Sequence, residues 1–296
     1  MPLPPAIPVR LAAFGPALAL TGALAAQNGG FLTGLDGFEH FHEPLGQPFY
    51  FESPCNDTGL RAVYLAQDFA DASVFGGGDL RVYALQARVA LTERLAVIAT
   101  RSGYSVLDSG LVDDEGWNDL GFGLKYVLLA DRASDAVVTT GLRYQAENGT
   151  RAILQGGVDE FSPFVSAAKG FGQLHLLGSV TLRVPTDADD GNLVGHWDLH
   201  VDYSVNPGQR AVFAPLVEVH GVHYLDDGAS GLPVGGLDYA NLGSQPTESF
   251  VAWAGIGARV EIDGRIELGA CYEFALTDPE GDLMDTRVTA DVLLRF

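Results

Sequence analysis

Between residues 196 and 220 the chain sets imidazoles and carboxylates two residues apart. His196, Asp198, His200 and Asp202 lead to Ser204, and Glu218 and His220 follow after a short break. Upstream, Gln173, His175, Ser179, Thr181 and Arg183 fall on alternate positions in the same way. Imidazole carries protons near neutral pH and ligates transition metals, and a neighbouring carboxylate orients it or shares a cation. The chemistry open to such a set is recognition of a cationic or polar solute, a metal site, or a hydrogen-bonded network that fills a narrow interior. No metal and no cofactor is expected, because His pairs at this spacing are not a specific ligand signature.

A spacing of two puts these groups on one face only if the backbone is extended. The intervening residues support that. Trp197, Leu199, Val201, Tyr203 and Val205 alternate with the polar set, as Leu120, Phe122, Leu124, Tyr126 and Leu128 do with their neighbours. So do Ile266, Leu268, Ala270, Tyr272 and Phe274, and Val288, Ala290, Val292, Leu294 and Phe296. The pattern predicts strands at 60–69, 79–91, 94–104, 117–129, 136–146, 160–169, 173–184, 196–206, 211–224, 249–261, 265–276 and 286–296. A polar pair-off places Glu218 and His220 beside the strand at 196–206, through a hairpin at Pro207 to Arg210.

A soluble sandwich would also alternate, with its apolar face turned inward. Three features favour the opposite arrangement. The strands run about 10–14 residues, enough for a tilted membrane strand, which needs about 9–11. The chain ends on an aromatic residue that is itself the last beat of a strand. Tight connections alternate with long ones, as in outer-membrane barrels. The expected fold is all-β: a transmembrane antiparallel up-and-down β-barrel of about twelve strands with both termini periplasmic. Tyr83, Tyr104, Tyr126, Tyr144, Trp197, Tyr203, Phe213, Phe250, Phe274 and Phe296 are expected in girdles at its two interfaces.

The composition agrees. Of 296 residues 47% are hydrophobic, yet the formal net charge is −21, from 38 Asp+Glu against 17 Lys+Arg. Such acidity excludes nucleic acid as a partner, since phosphate binding needs clustered cations. Two cysteines exclude a disulfide scaffold; Cys55 and Cys271 are either one bridge pinning the N-terminal region or two unrelated thiols. Arg10 followed by the apolar stretch Leu11 to Leu24 reads as a signal peptide over 1–25. Residues 26–58 are expected to form a periplasmic tail or a partial plug, and 59–296 the barrel. The six long connections hold eighteen acidic residues and one base, Arg151. Asp113, Asp114, Glu115, Asp187, Asp189, Asp190, Asp278, Glu280 and Asp282 would make an acidic extracellular rim. That rim either solvates the loops or concentrates cations.

Trp117-Asn118-Asp119-Leu120-Gly121-Phe122-Gly123-Leu124-Lys125-Tyr126 resembles the G-x-x-D-L-x-x-G-x-K-Y strand of the outer-membrane family named for the meta-pathway of phenol degradation. Glu52-Ser53-Pro54, then Thr58-Gly59-Leu60 and the strand to Phe69, is similar to the start of such barrels. The resemblance implies an outer-membrane transport protein with hydrophobic or aromatic cargo. It carries no catalytic residues.

The reading is a channel or transporter for small solutes in the bacterial outer membrane. His175, Arg183, His196, Asp198, His200, Asp202, Glu218 and His220 are its solute-binding candidates in the lumen. Expected partners are outer-membrane lipid, a small-molecule solute, and the barrel-assembly machinery acting through the strand that ends at Phe296. The alternative is a non-conducting structural or adhesive barrel whose acidic loops bind cations or partners. A lesser one is an outer-membrane hydrolase. Asp198, His200 and Ser179 supply the residue types, but no serine sits in a nucleophile motif, so the chain is read as no enzyme.

Overall fold

The structure, a computed structural model, describes residues 32, 34–229, 235–243, 248–278 and 283–296. The signal peptide expected over 1–25, and Glu280 and Asp282 of the expected rim, lie outside the described residues. Fourteen strand segments follow one another: β1 Gly59–Asp68, β2 Gly78–Ala90, β3 Leu95–Arg101, β4 Tyr104–Ser109, β5 Asp113–Trp117, β6 Leu120–Asp131, β7 Ala136–Ala146, β8 Glu160–Phe171, β9 Leu174–Pro185, β10 Leu193–Tyr203, β11 Ala211–Asp226, β12 Phe250–Ile262, β13 Ile266–Ala275 and β14 Thr286–Arg295.

They form one antiparallel sheet that closes on itself, because β1 pairs with both β2 and β14. Two of the wall strands are each cut in two. β3 and β4 both pair with β2 and are separated at Ser102-Gly103, while β5 and β6 are separated at Asn118-Asp119. Joined across those breaks, the segments make a closed barrel of twelve strands. Closure leaves no edge, which is what lets a sheet stand in hydrocarbon. Gly103 makes the first break possible: its φ of 134° brings a notional Cβ to 2.4 Å from the Tyr83 carbonyl oxygen, so only glycine fits.

The apolar face of the strands is the outer one. Leu120, Phe122, Leu124, Tyr126 and Leu128 are all exposed, whereas Lys125 and Val127 between them are buried. Tyr83, Tyr203, Phe213, Phe274 and Phe296 are exposed on the same outer surface, which carries Val180, Leu199, Val217 and Ile256 as well. A belt of this extent is far larger than water-soluble surfaces tolerate. No described helix is long and apolar enough to cross a membrane; the crossing is made by strands. Leu124, 54% exposed at the middle of β6, tests this face. Leu124→Arg is expected to cost about 2–4 kcal/mol of folding free energy in phospholipid vesicles, read from urea titration; an unchanged midpoint would mean the face does not meet lipid.

Short connections lie at one end of the barrel (132–135 and 263–265 among them) and long ones at the other (147–159 and 186–192 among them). One expected long loop, 105–116, is instead the hairpin of β4 and β5, so Asp113, Asp114 and Glu115 sit on a strand. The reason is physical: a wall strand that continues beyond the hydrocarbon needs no apolar face, and its acidic residues then look like loop. Gln173 also departs from expectation. It lies in the β8–β9 turn and accepts a hydrogen bond from Tyr203 Oη at 2.5 Å, outside the lumen.

Residues 34–58 enter the barrel from the short-turn end, reverse, and return to that end to begin β1. Leu35 N–H donates to Asn56 O at 2.6 Å across the mouth of this hairpin-like segment. The reversal is at Gln47, whose φ is 56° and whose carbonyl accepts from Tyr50 and Phe51 N–H. Phe38, Phe41 and Phe51 pack on Val127, Val137 and Leu177 of the wall. Phe49 and Tyr50 join Val63, Leu65, Leu80, Val82 and Tyr239 at the long-loop end. Cys55 and Cys271 are separate free thiols. Burial pushes the Cys55 thiol up to about 12, so thiolate is scarce at neutral pH. Alkylation in the folded barrel is expected to be far slower than in urea; equal rates would mean the segment does not stay inside.

Candidate functional site

The alternation of β9, β10 and β11 turns every polar candidate into the lumen, and their register puts them side by side. Asp198 pairs with His220 and with Ser179, His200 with Glu218, and Asp202 with His175. The result is a continuous chain of imidazoles and carboxylates. His175 Nδ1 lies 2.8 Å from Asp202 Oδ1, and Asp202 Oδ2 is 3.0 Å from His200 Nε2. His200 Nδ1 is 2.5 Å from Glu218 Oε1, Glu218 Oε2 is 3.6 Å from His220 Nε2, and His220 Nδ1 is 2.8 Å from Asp198 Oδ1. All six residues are at most 1% exposed.

The two other candidates stand apart from this chain. His196 is nearer the long-loop end, with Nδ1 2.9 Å from Gln47 Nε2 and its ring stacked on Tyr50 at 4.8 Å. Arg183 donates to both oxygens of Glu160, at 2.7 and 2.6 Å, and to Leu237 O at 2.7 Å. It holds the long connection between β11 and β12 over the lumen. Arg101 donates to Asp238 O at 2.8 Å and to Tyr239 O, and Arg287 pairs with Asp238 at 2.8 Å. Three lumen arginines therefore pin residues 237–239 as a cover. At the same end Asp113, Asp114, Glu115, Asp187, Asp189, Asp190 and Asp278 are exposed.

The alternating pattern of the wall says nothing of what fills it, and the filling is the main finding. Glu218 accepts from Leu45 N–H at 2.9 Å and from Gly46 N–H at 2.5 Å. A Cβ on Gly46 would stand 2.4 Å from His220 Nε2 and 2.7 Å from Glu218 Oε2, so this position must be glycine for the backbone to approach. Glu52 meets three wall cations: Arg88 at 2.8 Å, Lys125 at 3.0 Å and Arg143 at 3.1 Å. Burial alone would raise its carboxyl, but Arg88, Lys125 and Arg143 outweigh burial and hold it well below the ordinary carboxylate range. Glu43 pairs with Arg88 at 2.7 Å and Arg61 at 3.4 Å, and Asp291 with Arg61 at 2.5 Å and Arg259 at 2.7 Å.

These cations were visible as inward beats of the strands (Arg61 in β1, Arg88 in β2, Lys125 in β6, Arg143 in β7), but apart from Asp291 of β14, which pairs with Arg61, their acidic partners Glu43 and Glu52 lie in a segment without periodicity. The N-terminal segment occupies the lumen. Under the 237–242 cover an apolar void of about 20 Å³ remains, lined by Phe69, Phe75, Leu80, Leu107 and Leu237, room for little more than one water. Ser179 is the register partner of Asp198 rather than of His220, so the serine expected to act with Asp198 and His200 does not face the imidazole that Asp198 holds; the serine hydroxyl set on an imidazole is that of Ser204, 3.0 Å from His42 Nε2.

No protein-family model and no curated protein matches the sequence. Among solved structures the chain is similar to an outer membrane channel from Pseudomonas putida F1, with 14% identity and a TM-score of 0.59 over 86% of this chain and 100% of that one. It is also similar to the NanC porin (11% identity, TM-score 0.48, 81% of this chain and 100% of that one). LpxR from Salmonella typhimurium follows at 10% identity and a TM-score of 0.47, over 80% of this chain and 100% of that one. At such identities the likeness shows the fold alone, and that fold is the outer-membrane β-barrel.

Proposed function

We propose that the protein is an outer-membrane channel for small solutes, shut in this state by its own N-terminal segment. The observation that carries the reading is how the segment is held. Glu43 and Glu52 dock on wall cations and Leu45 and Gly46 on a wall carboxylate, all buried. Buried ion pairs gain little over apolar packing of the same shape, so a barrel kept only as a scaffold has no reason to be filled this way. A charged wall, in contrast, is wetted once the segment leaves it. With the termini periplasmic, the exposed acids at the long-loop end form a negative external mouth that favours cations.

Hydrophobic or aromatic cargo is supported by the break in the wall at Ser102-Gly103 and Asn118-Asp119, beside an outer groove lined by Tyr64, Tyr83, Tyr104 and Trp117. The resemblance of Trp117 to Tyr126 to the phenol-pathway strand agrees with it. The barrel-assembly machinery would recognise the strand ending at Phe296.

Planar-bilayer recording tests the reading. The mature chain is expected to be silent or to open rarely, and a variant lacking residues 34–56 to show stable, cation-preferring steps. A deletion variant that migrates as a folded, heat-modifiable barrel and still conducts nothing would favour the structural alternative.

A further inference from the structure

We propose that His42, His175 and Asp202 form a site for one divalent first-row transition cation of the zinc class, which fastens the N-terminal segment to the barrel wall. The three residues come from three elements: the lumen segment, β9 and β10. All are about 1% exposed, and one ligand atom from each lies within 4.8 Å of the others. Two imidazoles and one carboxylate suit zinc, copper or nickel and not calcium, which takes oxygen ligands.

His175 Nδ1 stands 2.8 Å and His42 Nε2 3.9 Å from the same oxygen, Asp202 Oδ1. Ligands of a tetrahedral zinc, each roughly 2.0–2.2 Å from the metal, stand about 3.3 Å apart, so these two separations change by about half an ångström on binding. The ligand atoms of His42 and His175, within 4.8 Å of each other, close to the same spacing by side-chain rotation. The cation takes the place of the proton now shared by His175 and Asp202. Ser204 Oγ, 3.0 Å from His42 Nε2, supplies a neutral fourth oxygen or holds a water there.

The surroundings are those of a supported metal centre. His42 Nδ1 is buried without a hydrogen-bond partner and points toward Glu261 Oε2 at 3.8 Å. A His42 bound through Nε2 carries its proton on Nδ1, where that carboxylate orients it. Asp202 Oδ2 is already engaged by His200 Nε2, which leaves Oδ1 for the metal. Access is from the short-turn end, where the partly exposed His40 lies 5.2 Å, ring to ring, from His175. The site does not depend on whether the barrel conducts.

The test uses the mature, tag-free chain refolded in detergent and stripped with a chelator, titrated with zinc by calorimetry and with cobalt(II) by visible absorption. One equivalent per chain is expected, with cobalt bands of a nitrogen–oxygen site. His42→Ala and His175→Ala should each weaken binding more than about tenfold. Glu261→Gln should weaken it by about tenfold, and His40→Ala should leave it unchanged. Heat-modifiable migration certifies each barrel as folded, and the isosteric Asp202→Asn replaces any variant that fails it. No saturable binding, binding that His175→Ala and Asp202→Asn leave intact, or loss on His40→Ala alone would each overturn the site.

Discussion

Glutamine in place of Glu52 is expected to release the N-terminal segment while the barrel stays folded. Its carboxylate is the shared partner of Arg88, Lys125 and Arg143. Arg88 keeps Glu43, but Lys125 is left with backbone carbonyls alone, those of Ser53 and Cys55, and these leave with the segment. Removing one member of a buried ion pair costs about 3–5 kcal/mol, because the other charge stays buried and uncompensated. The undocked fraction should then rise by at least about a hundredfold. Chymotrypsin reads this directly, since Phe49, Tyr50 and Phe51 are buried while docked. Faster cleavage at these residues with unchanged heat-modifiable migration is the expected result, and an unchanged cleavage rate would show that Glu52 does not hold the segment.

The pH dependence follows from the sign of the shift. Glu52 titrates below its ordinary value of 4.5 when docked. Its contribution is therefore complete above about pH 4.5 and is lost only as pH falls through the lower, docked value. The wild-type segment should stay protected at pH 5, whereas the glutamine variant is already cleaved at neutral pH. Acid that exposed the wild type well above 4.5 would point to another group.

The barrel was largely legible because a lipid-facing wall must alternate. The strand expected over 136–146 is β7 to the residue, and the outward beats at 266–274 and 288–296 are all accessible. Register followed from the hairpin at 207–210, which is why Glu218 and His220 fall beside His200 and Asp198 as the spacing required. Legibility failed where the constraint lapses. β4 and β5 stand where lipid does not demand an apolar face, so Asp113-Asp114-Glu115 reads as loop. The lumen segment has no period because it is neither strand nor helix. Its Phe38, Phe41 and Phe51 are spaced by three and ten and point into whatever gap the wall leaves. The clue that was present is compositional: Arg61, Arg88, Lys125 and Arg143 are inward cations with too few inward acids on adjacent strands, and Glu43 and Glu52 complete the count.

Glu218→Gln should loosen the same segment from its other anchor, and combining it with Glu52→Gln decides how the segment is held. Glu218 takes hydrogen bonds from Leu45 and Gly46 N–H and faces His200 and His220. An amide keeps the shape but sets an N–H₂ against one of these donors and removes the charge between two imidazoles. Hydrogen bonds to a charged group contribute about 1.5–3 kcal/mol each, so a loss of about 3 kcal/mol or more is expected. The two anchors flank the reversal at Gln47 and touch no common residue, so independent sites would give additive costs in the double variant. If the segment instead docks as one unit, the first substitution already frees it and the second adds less than its own cost by about 1–3 kcal/mol. Chymotrypsin rates for the four proteins close the cycle. Strict additivity would mean that each end of the segment opens by itself, and a channel gated by its departure would then need two separate triggers.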